Sequence, residues 1–386
     1  MSLPKAESVL RSAIRDGVTV AAVAAAGRQA GSGGGPPEST LALGLCRENG
    51  PVTSTDTRFD LASLTKVVAT LPSVLRLASN GELSLDDRIG RFFSNAGWFQ
   101  SPSLADATIR ELLTHTSGLP AWRPLFAEMD ERHTAVAAVL QSRLEHPGRF
   151  VYSDLGFMLL GTLVERVAGV RLDRFARHEI FAPLSMDRTR FGPISGVPVA
   201  ATEDCGWRGR LLEGEVHDEN ATVWDGVAGH AGLFGTAADL ATYCRAWLEL
   251  DSRLGSEALL VEATSEQARG DDGSRRGLGW MLASEGCFAG HGARGYGHTG
   301  FTGTSLWLES DAKAGAGGSF AVLLTNRVHP HRDRRTGIAE LRIAFHEALR
   351  TGSDGPGGEN GRDKHQRDDD TTSDAPRRAE PEGGKR

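Results

Sequence analysis

Serine and lysine stand in an S-x-x-K spacing three times in this chain: Ser2 with Lys5, Ser63 with Lys66, and Ser310 with Lys313. On a helix that spacing puts a hydroxyl and an amine one turn apart on one face, the arrangement of a serine nucleophile beside a basic group. Context separates the three. The first pair sits at a terminus that frays, and the third in ESDAKAGAGG, a polar, Gly-rich stretch of hairpin-loop character. Ser63 follows the apolar RFDLA and opens KVVATLPSVLRLAS. It is expected at a helix N-terminus, where unpaired amides suit an oxyanion.

A serine nucleophile needs a base, and the chain has tyrosines only at 152, 243 and 296. Tyr243 lies in the amphipathic DLATYCRAWLEL, where packing accounts for it. Tyr152 opens YSDLGFMLLG after the loop-like HPGRF, a junction from which a side chain projects into a cleft. A third segment, GHTGFTGTSLW at 297–307, has glycines that let a substrate lie against the backbone at the start of a strand, although turn glycines read the same way.

The elements that must hold these groups follow from periodicity. Lys5 to Asp16 reads as an amphipathic helix, Val18 to Ala26 as a buried strand, the Gly-rich GRQAGSGGGPP as a turn, and Leu41 to Cys46 as the hairpin partner. Near the other end, Gly303 to Glu309 and Ser319 to Asn326 read as strands and Arg335 to Arg350 as a helix. Between them the pattern is mostly helical, over Val67 to Asn80, Ile109 to Thr116, Thr134 to Leu144, Gly156 to Ala168 and Ala237 to Leu250. The expected fold class is α+β: an antiparallel sheet built from both ends (about 1–60 and 275–350), a helical region inserted between (about 61–274), and a cleft where they meet. Residues 351–386 contain none of Val, Ile, Leu, Phe, Tyr, Trp, Met or Cys and read as a disordered tail, leaving 1–350 as the domain.

Taken in order, Ser63-x-x-Lys66, Tyr152-Ser153-Asp154 and His298-Thr299-Gly300 resemble the three active-site motifs of the penicillin-recognising serine hydrolases. The phrases DTRFDLASLTKVVAT, IRELLTHTSGLP, YSDLGFMLLG, VAGHAGLFGT, GLGW and LLTNRVHP are similar to that family's sequences, and the likeness runs from about Lys5 to Arg350. The tyrosine-based second motif resembles that of class C β-lactamases, D-aminopeptidases and family VIII esterases. The resemblance implies the β-lactamase/transpeptidase-like fold and an acyl-enzyme on Ser63. Lys66 and Tyr152 would share the role of taking the serine proton, and Tyr152 would return one to the leaving group. The amides of Ser63 and Phe301 would form the oxyanion hole, with Asp154, His298, Thr299 and Gly300 around the substrate. Lys66 and His298 are the candidates for lowering the tyrosine from its usual ~10 towards neutrality.

Two departures bear on substrate. His298 stands where penicillin-binding members often carry lysine, which weakens attraction for a substrate carboxylate. Asp154 replaces an asparagine, removing an amide donor and offering Lys66 a carboxylate. An esterase or an amidase/peptidase acting on a small ester, amide or peptide is therefore expected. The alternatives are a β-lactamase or D,D-carboxypeptidase, and a catalytically silent sensor on the same fold.

Composition narrows the partners. A net charge of -7 and a pI near 6.0 provide no basic stripe for nucleic acid. Charged residues interrupt every apolar run, and MSLPKAESVLRSAIRDG lacks the pattern of a secretory signal, so a soluble, cytoplasmic protein is expected. Cys46, Cys205, Cys244 and Cys287 form no C-x-x-C pair. His217, Asp218, Glu219 and His230 match no zinc spacing and read as loops walling the cleft, so no metal or other cofactor is expected. Trp280 and Trp307 read as core or cleft-wall aromatics, Asp86 and Asp87 as caps, and Arg294 as a cation able to replace the charge His298 lacks.

Overall fold

The strand Ala21–Arg28, AAVAAAGR, is mostly alanine, and its two faces serve two different cores. Ala21, Val23 and Ala25 belong to the large apolar cluster shared with the helical region, whereas Ala22, Ala24 and Ala26 pack with Leu10 of the first helix and Leu341 and Phe345 of the last. Side chains alternate across a strand, so small residues on both faces allow helices to close on the sheet from either side. The chain is seen here in a computed structural model that describes residues 3–28, 39–93, 102–285, 287, 294–310, 318–333 and 336–350. The expected tail at 351–386, most of the Gly-rich turn at 27–37, and Ser2 and Lys313 of the two rejected pairs lie outside the described residues.

Among the described residues the main sheet has eight antiparallel strands. Their spatial order is Ser39–Gly44, Ala21–Arg28, Ser319–Thr325, Ser305–Glu309, Gly295–Thr299, Met281–Leu282, Arg275–Arg276 and Ala268–Arg269. Strands from the two ends meet in register, with Val23 opposite Leu324 and Ala25 opposite Val322. The helices Leu3–Arg15 and Ile338–Arg350 cover one face, and Ala237–Leu248 packs against the other.

Asp154–Ala168 is the central helix of the remaining region, buried over most of its length, with Ser153 at its N-cap and Gly169 in the left-handed conformation at its end. Gly161 is required there by close approach. A Cβ on it would stand 2.8 Å from the Gly229 Cα, and one on Gly229 would stand 2.0 Å from the Phe157 carbonyl oxygen. This contact fixes the 228–232 loop against the helix.

Some elements differ from the expectation. Phe59–Asp60, Leu233–Gly235 and Arg190–Phe191 form a second small sheet, and Asp204–Cys205 pairs with Arg210–Leu211. Runs of two or three residues are too short to show alternation. The helix after Ser63 opens with a π turn over Lys66–Thr70 before the regular Leu71–Ser79. Such turns are frequent at functional sites.

Candidate active site

Ser63 stands at a forced turn. The pairing of Phe59–Asp60 with Leu233–Gly235 delivers the chain to Ala62, whose φ of 46° is uncommon for a residue with a Cβ, and the helix starts at Leu64. Buried Asp60 holds this bend. Its Oδ1 accepts the Ala62 N–H at 2.8 Å and its Oδ2 the His217 N–H at 2.7 Å. Burial pushes the Asp60 carboxyl above its ordinary range, against the pull of these two donors. The Thr302 and Thr304 hydroxyls donate to the carbonyls of Asp60 and Leu61, tying the turn to the strands that carry His298.

The Lys66 Nζ lies 2.9 Å from the Ser63 Oγ and 2.7 Å from the Asp154 Oδ1, with the lysine side chain wholly buried. Burial alone would drive the ammonium towards neutrality. The Asp154 charge, followed by Tyr152, overrides that and holds Lys66 well above the ordinary lysine range. Lys66 is therefore a fixed cation that donates to Ser63. Asp154, which the sequence offered both to the substrate and to Lys66, is the lysine's counter-ion and also lines the cavity.

Tyr152 lies under the Lys66 ammonium, with Nζ 4.8 Å from its ring centroid. His115 supports the segment from behind. Its carbonyl accepts the Val151 N–H at 2.9 Å, its Nδ1 accepts the Ser153 N–H at 3.0 Å, and its ring lies 4.6 Å from that of Tyr152, tilted by 35°. His115 has φ 59° and is fully buried, and desolvation, with Lys66 and Arg276 nearby, keeps it neutral.

His298 sits on the strand Gly295–Thr299, its ring 6.0 Å from that of Tyr152. Its Nδ1 donates to the Thr299 carbonyl at 2.8 Å, which leaves a lone pair on the buried Nε2. Burial, with Lys66 and Arg276 close by, pushes it down to about 3. The sequence offered His298 as a cationic or hydrogen-bonding partner for Tyr152; here burial disfavours its charged form and its Nδ1 proton goes to the Thr299 carbonyl. Gly300 differs as well. A Cβ on it would meet the Thr304 Oγ1 at 2.1 Å and the Leu61 oxygen at 2.5 Å, so a glycine is needed for contact with the serine turn as well as at the cavity wall.

These groups share a cavity of about 590 Å³, which Ser63, Tyr152, Asp154, His298, Thr299, Gly300 and Phe301 all line. Among the described residues neither the Ser63 nor the Phe301 amide donates to a protein acceptor. The cavity also holds cations that sequence reading missed. Arg332 is spent on Glu203 and Glu219, and Arg342 on the carbonyls of Gly300 and Thr304. Arg276 and Arg327 form no ion pair within 4 Å among the described residues; Arg327 donates to the Phe301 carbonyl and lies 4.4 Å over its ring. Each lining acid is engaged: Asp154 with Lys66, Asp218 with His230 at 2.8 Å, and Glu219 with Arg332. Arg294, offered for the cationic role, is an exposed residue heading its strand and does not line the cavity. His217 pairs with Glu203 at 3.0 Å, and among the described residues no three His, Cys, Asp or Glu side chains converge as metal ligands. Trp280 is core, and Trp307 is buried beside Ala283.

Residues 10–344 match the sequence profile of the Beta-lactamase family. The chain belongs to that family. A relative, the N-acetylmuramyl-L-alanine amidase of Bacillus subtilis (strain 168), is 32% identical over 312 residues, covering 71% of this chain and 69% of that protein. Among solved structures, EstCE1, described as a hydrolase with promiscuous acyltransferase activity, superposes with a TM-score of 0.70 at 20% identity over 90% of this chain and 98% of its own. A class C β-lactamase from Rhodobacter sphaeroides does so at 0.65 and 18% identity, over 90% and 99%. The fold is the β-lactamase/transpeptidase-like fold, and this family member is a serine hydrolase. No described helix is long and apolar enough to cross a membrane.

Proposed function

We propose that the chain cleaves a small, carboxylate-bearing amide or ester through an acyl-enzyme on Ser63. The observation that carries this reading is the buried Lys66 ammonium held between the Ser63 Oγ and Asp154, in a cavity also lined by Arg276 and Arg327, neither of which has a carboxylate partner within 4 Å among the described residues. Since Lys66 already holds its proton, the division of labour sharpens. Tyr152 takes the Ser63 proton, while Lys66 stabilises the negative charge that passes from the tyrosine oxygen to the serine oxygen. The Ser63 Oγ attacks the carbonyl carbon, and the amides of Ser63 and Phe301 receive the oxyanion. Tyr152 then protonates the departing nitrogen or oxygen as its bond to carbon breaks. Water, deprotonated by the same tyrosine, releases the acid and restores Ser63.

Arg276 and Arg327 bind the substrate carboxylate, the role for which the sequence offered Arg294. A charge-assisted contact of this kind contributes about 1.5–3 kcal/mol, or roughly 10- to 150-fold in affinity. The Bacillus relative is named an amidase, which favours an amide over an ester. The second reading, a sensor that acylates and stalls, draws support from the same Lys66–Asp154 pair, because a lysine fixed as a cation cannot itself activate water.

The test compares a dipeptide-type amide bearing a free carboxylate with its carboxamide, alongside p-nitrophenyl esters and a chromogenic cephalosporin, in wild type, Ser63→Ala, Arg276→Ala and Arg327→Ala. Ser63-dependent turnover with about a 10- to 100-fold preference for the acid, lost in the arginine variants, is the expected result. Turnover persisting in Ser63→Ala, or equal rates on acid and carboxamide, would overturn the proposal. A stable adduct without turnover would establish the sensor.

A further inference from the structure

In the proposed reaction the Phe301 amide receives the oxyanion, and that N–H is one end of a peptide unit whose other end is the Gly300 carbonyl. The Gly300 carbonyl accepts the Arg342 Nη2–H at 2.9 Å and the Gly303 N–H at 3.0 Å. The same Nη2 donates to the Thr304 carbonyl at 2.9 Å, which also takes the Gly300 N–H at 2.8 Å. One residue on, the Phe301 carbonyl accepts the Arg327 Nε–H at 2.8 Å. A guanidinium therefore meets the oxygen of both peptides that flank the Phe301 Cα.

Arg342 is an expensive residue for its position. It stands on the helix Ile338–Arg350, and with Ile338 it brings that helix to the cavity wall. Among the described residues its buried Nε has no hydrogen-bond partner and its guanidinium forms no ion pair. Burial, with Arg327 beside it, pulls it down to about 10, so it stays charged at neutral pH. Taking a charge out of water without a carboxylate is costly, and an apolar side chain would close the helix onto the 300–304 turn without that cost. What the cation gains is two carbonyl oxygens, one of them on the peptide that carries the Phe301 amide.

We infer that Arg342 is a positioning residue for acylation: its charge on the Gly300 oxygen draws electron density from the Gly300–Phe301 peptide nitrogen and makes the Phe301 N–H a stronger donor to the oxyanion. Hydrogen bonds in series polarise one another, and one with a charged donor is roughly twice as strong as a neutral one. The turn has other fixings, since the Gly300 and Gly303 amides bond within it and the Thr302 and Thr304 hydroxyls tie it to Asp60 and Leu61. Removing the charge therefore leaves the turn in place. The inference rests on the acyl-enzyme reading for its kinetic effect, whereas the polarised peptide belongs to the resting protein.

The dipeptide Gly–Phe occurs twice in the chain, at Gly156–Phe157 and Gly300–Phe301. Protein labelled with carbon-13 at glycine carbonyls and nitrogen-15 in phenylalanine thus gives two carbonyl-coupled amide signals in NMR, the first an internal control inside the helix Asp154–Ala168. Arg342→Gln keeps an N–H donor without the charge, and Arg342→Lys keeps the charge. In Arg342→Gln the Gly300–Phe301 signal should move upfield in carbon and nitrogen while Gly156–Phe157 stays, and Arg342→Lys should return most of the shift. On an amide substrate kcat should fall about 10-fold in Arg342→Gln, a fraction of the ~100- to 1000-fold that loss of a whole oxyanion donor costs, and Arg342→Lys should recover most of it. KM and the preference for acid over carboxamide should not change, and the infrared stretch of the acyl-enzyme carbonyl should rise in frequency with the loss of charge. An unmoved Gly300–Phe301 signal, or a moved one with kcat and the acyl stretch unchanged, would overturn the inference. So would an effect confined to KM and the acid preference, which would make Arg342 a carboxylate ligand, or equal losses in both variants with a displaced Gly156–Phe157 signal, which would make it a brace. Absence of any acyl-enzyme in wild type, with the Gly300–Phe301 shift as expected, would count against the hydrolase reading alone.

Discussion

Asp154→Asn isolates the electrostatic centre of the site. The Lys66 side chain has 0% exposure and that of Asp154 20%, and they meet at 2.7 Å, so water screens the pair weakly. Removing one partner of a buried pair costs about 3–5 kcal/mol, because the remaining charge stays in a poor solvent. Asparagine keeps the shape and an acceptor oxygen, which puts the expected loss at neutral pH near the lower end, about 3 kcal/mol. The dependence on pH follows from sign. In wild type Lys66 is raised, so its stabilising contribution is full below the ordinary lysine value of ~10.4 and is lost only as pH climbs through the higher folded value. In the variant, burial without the counter-charge depresses the folded value. The penalty is then full at neutral pH and shrinks as pH rises towards ~10.4, where a neutral amine can be buried. Urea unfolding at pH 7.0 and 9.5 measures both, and the midpoint should fall by about 1 M at the lower pH and by clearly less at the higher. In parallel, the alkaline limb of kcat/KM should move to lower pH as the ammonium becomes titratable. An unchanged midpoint at pH 7.0, or the same loss at both values, would refute the reasoning.

Other outcomes follow from the same geometry. His115→Phe keeps the ring under Tyr152 but removes the acceptor of the Ser153 N–H, so kcat should fall by about 10-fold with KM little changed; His115→Asn, which restores an acceptor, should recover part of it in steady-state kinetics. Asp60→Ala leaves the amides of Ala62 and His217 without their acceptor, and denaturant titration should show a loss of about 2–5 kcal/mol, with a smaller loss for Asp60→Asn. His298 and His346 are buried and pushed down to about 3, so the unfolded state takes up their protons first and stability falls as pH drops below ~6.5. His346→Leu, at a residue that does not line the cavity, should flatten that decline by about 1.4 kcal/mol per pH unit between pH 5.5 and 4, without changing kcat.

The grouping of Ser63, Lys66 and Tyr152 was legible because local spacing carries it: two residues one helical turn apart and a tyrosine at a loop-helix junction show themselves in one dimension. The strand Ala21–Arg28 and its partner Ser319–Thr325 were legible for the same reason, as long apolar runs between turns. Arg276 and Arg327 were not, because only the sheet brings them to Ser63, and an arginine in RRG or TNR looks like any surface charge until its neighbours are known. His298 was read as partly neutral, yet its full neutrality depends on burial and on the Thr299 carbonyl, neither visible in a tripeptide. Asp60 and His115 lay inside phrases that matched the family as wholes, so their separate tasks, bending the chain at Ala62 and bracing Tyr152, appeared only with the hydrogen bonds.

The central claim is covalent chemistry at Ser63, and peptide mapping by mass spectrometry tests it most directly. The protein is quenched in acid during turnover of an activated ester, digested, and compared with Ser63→Ala treated identically. The account predicts the acyl mass on the peptide containing Ser63 in wild type and on no peptide in the variant. An acyl mass on any other residue, or turnover by Ser63→Ala at the wild-type rate, would contradict it.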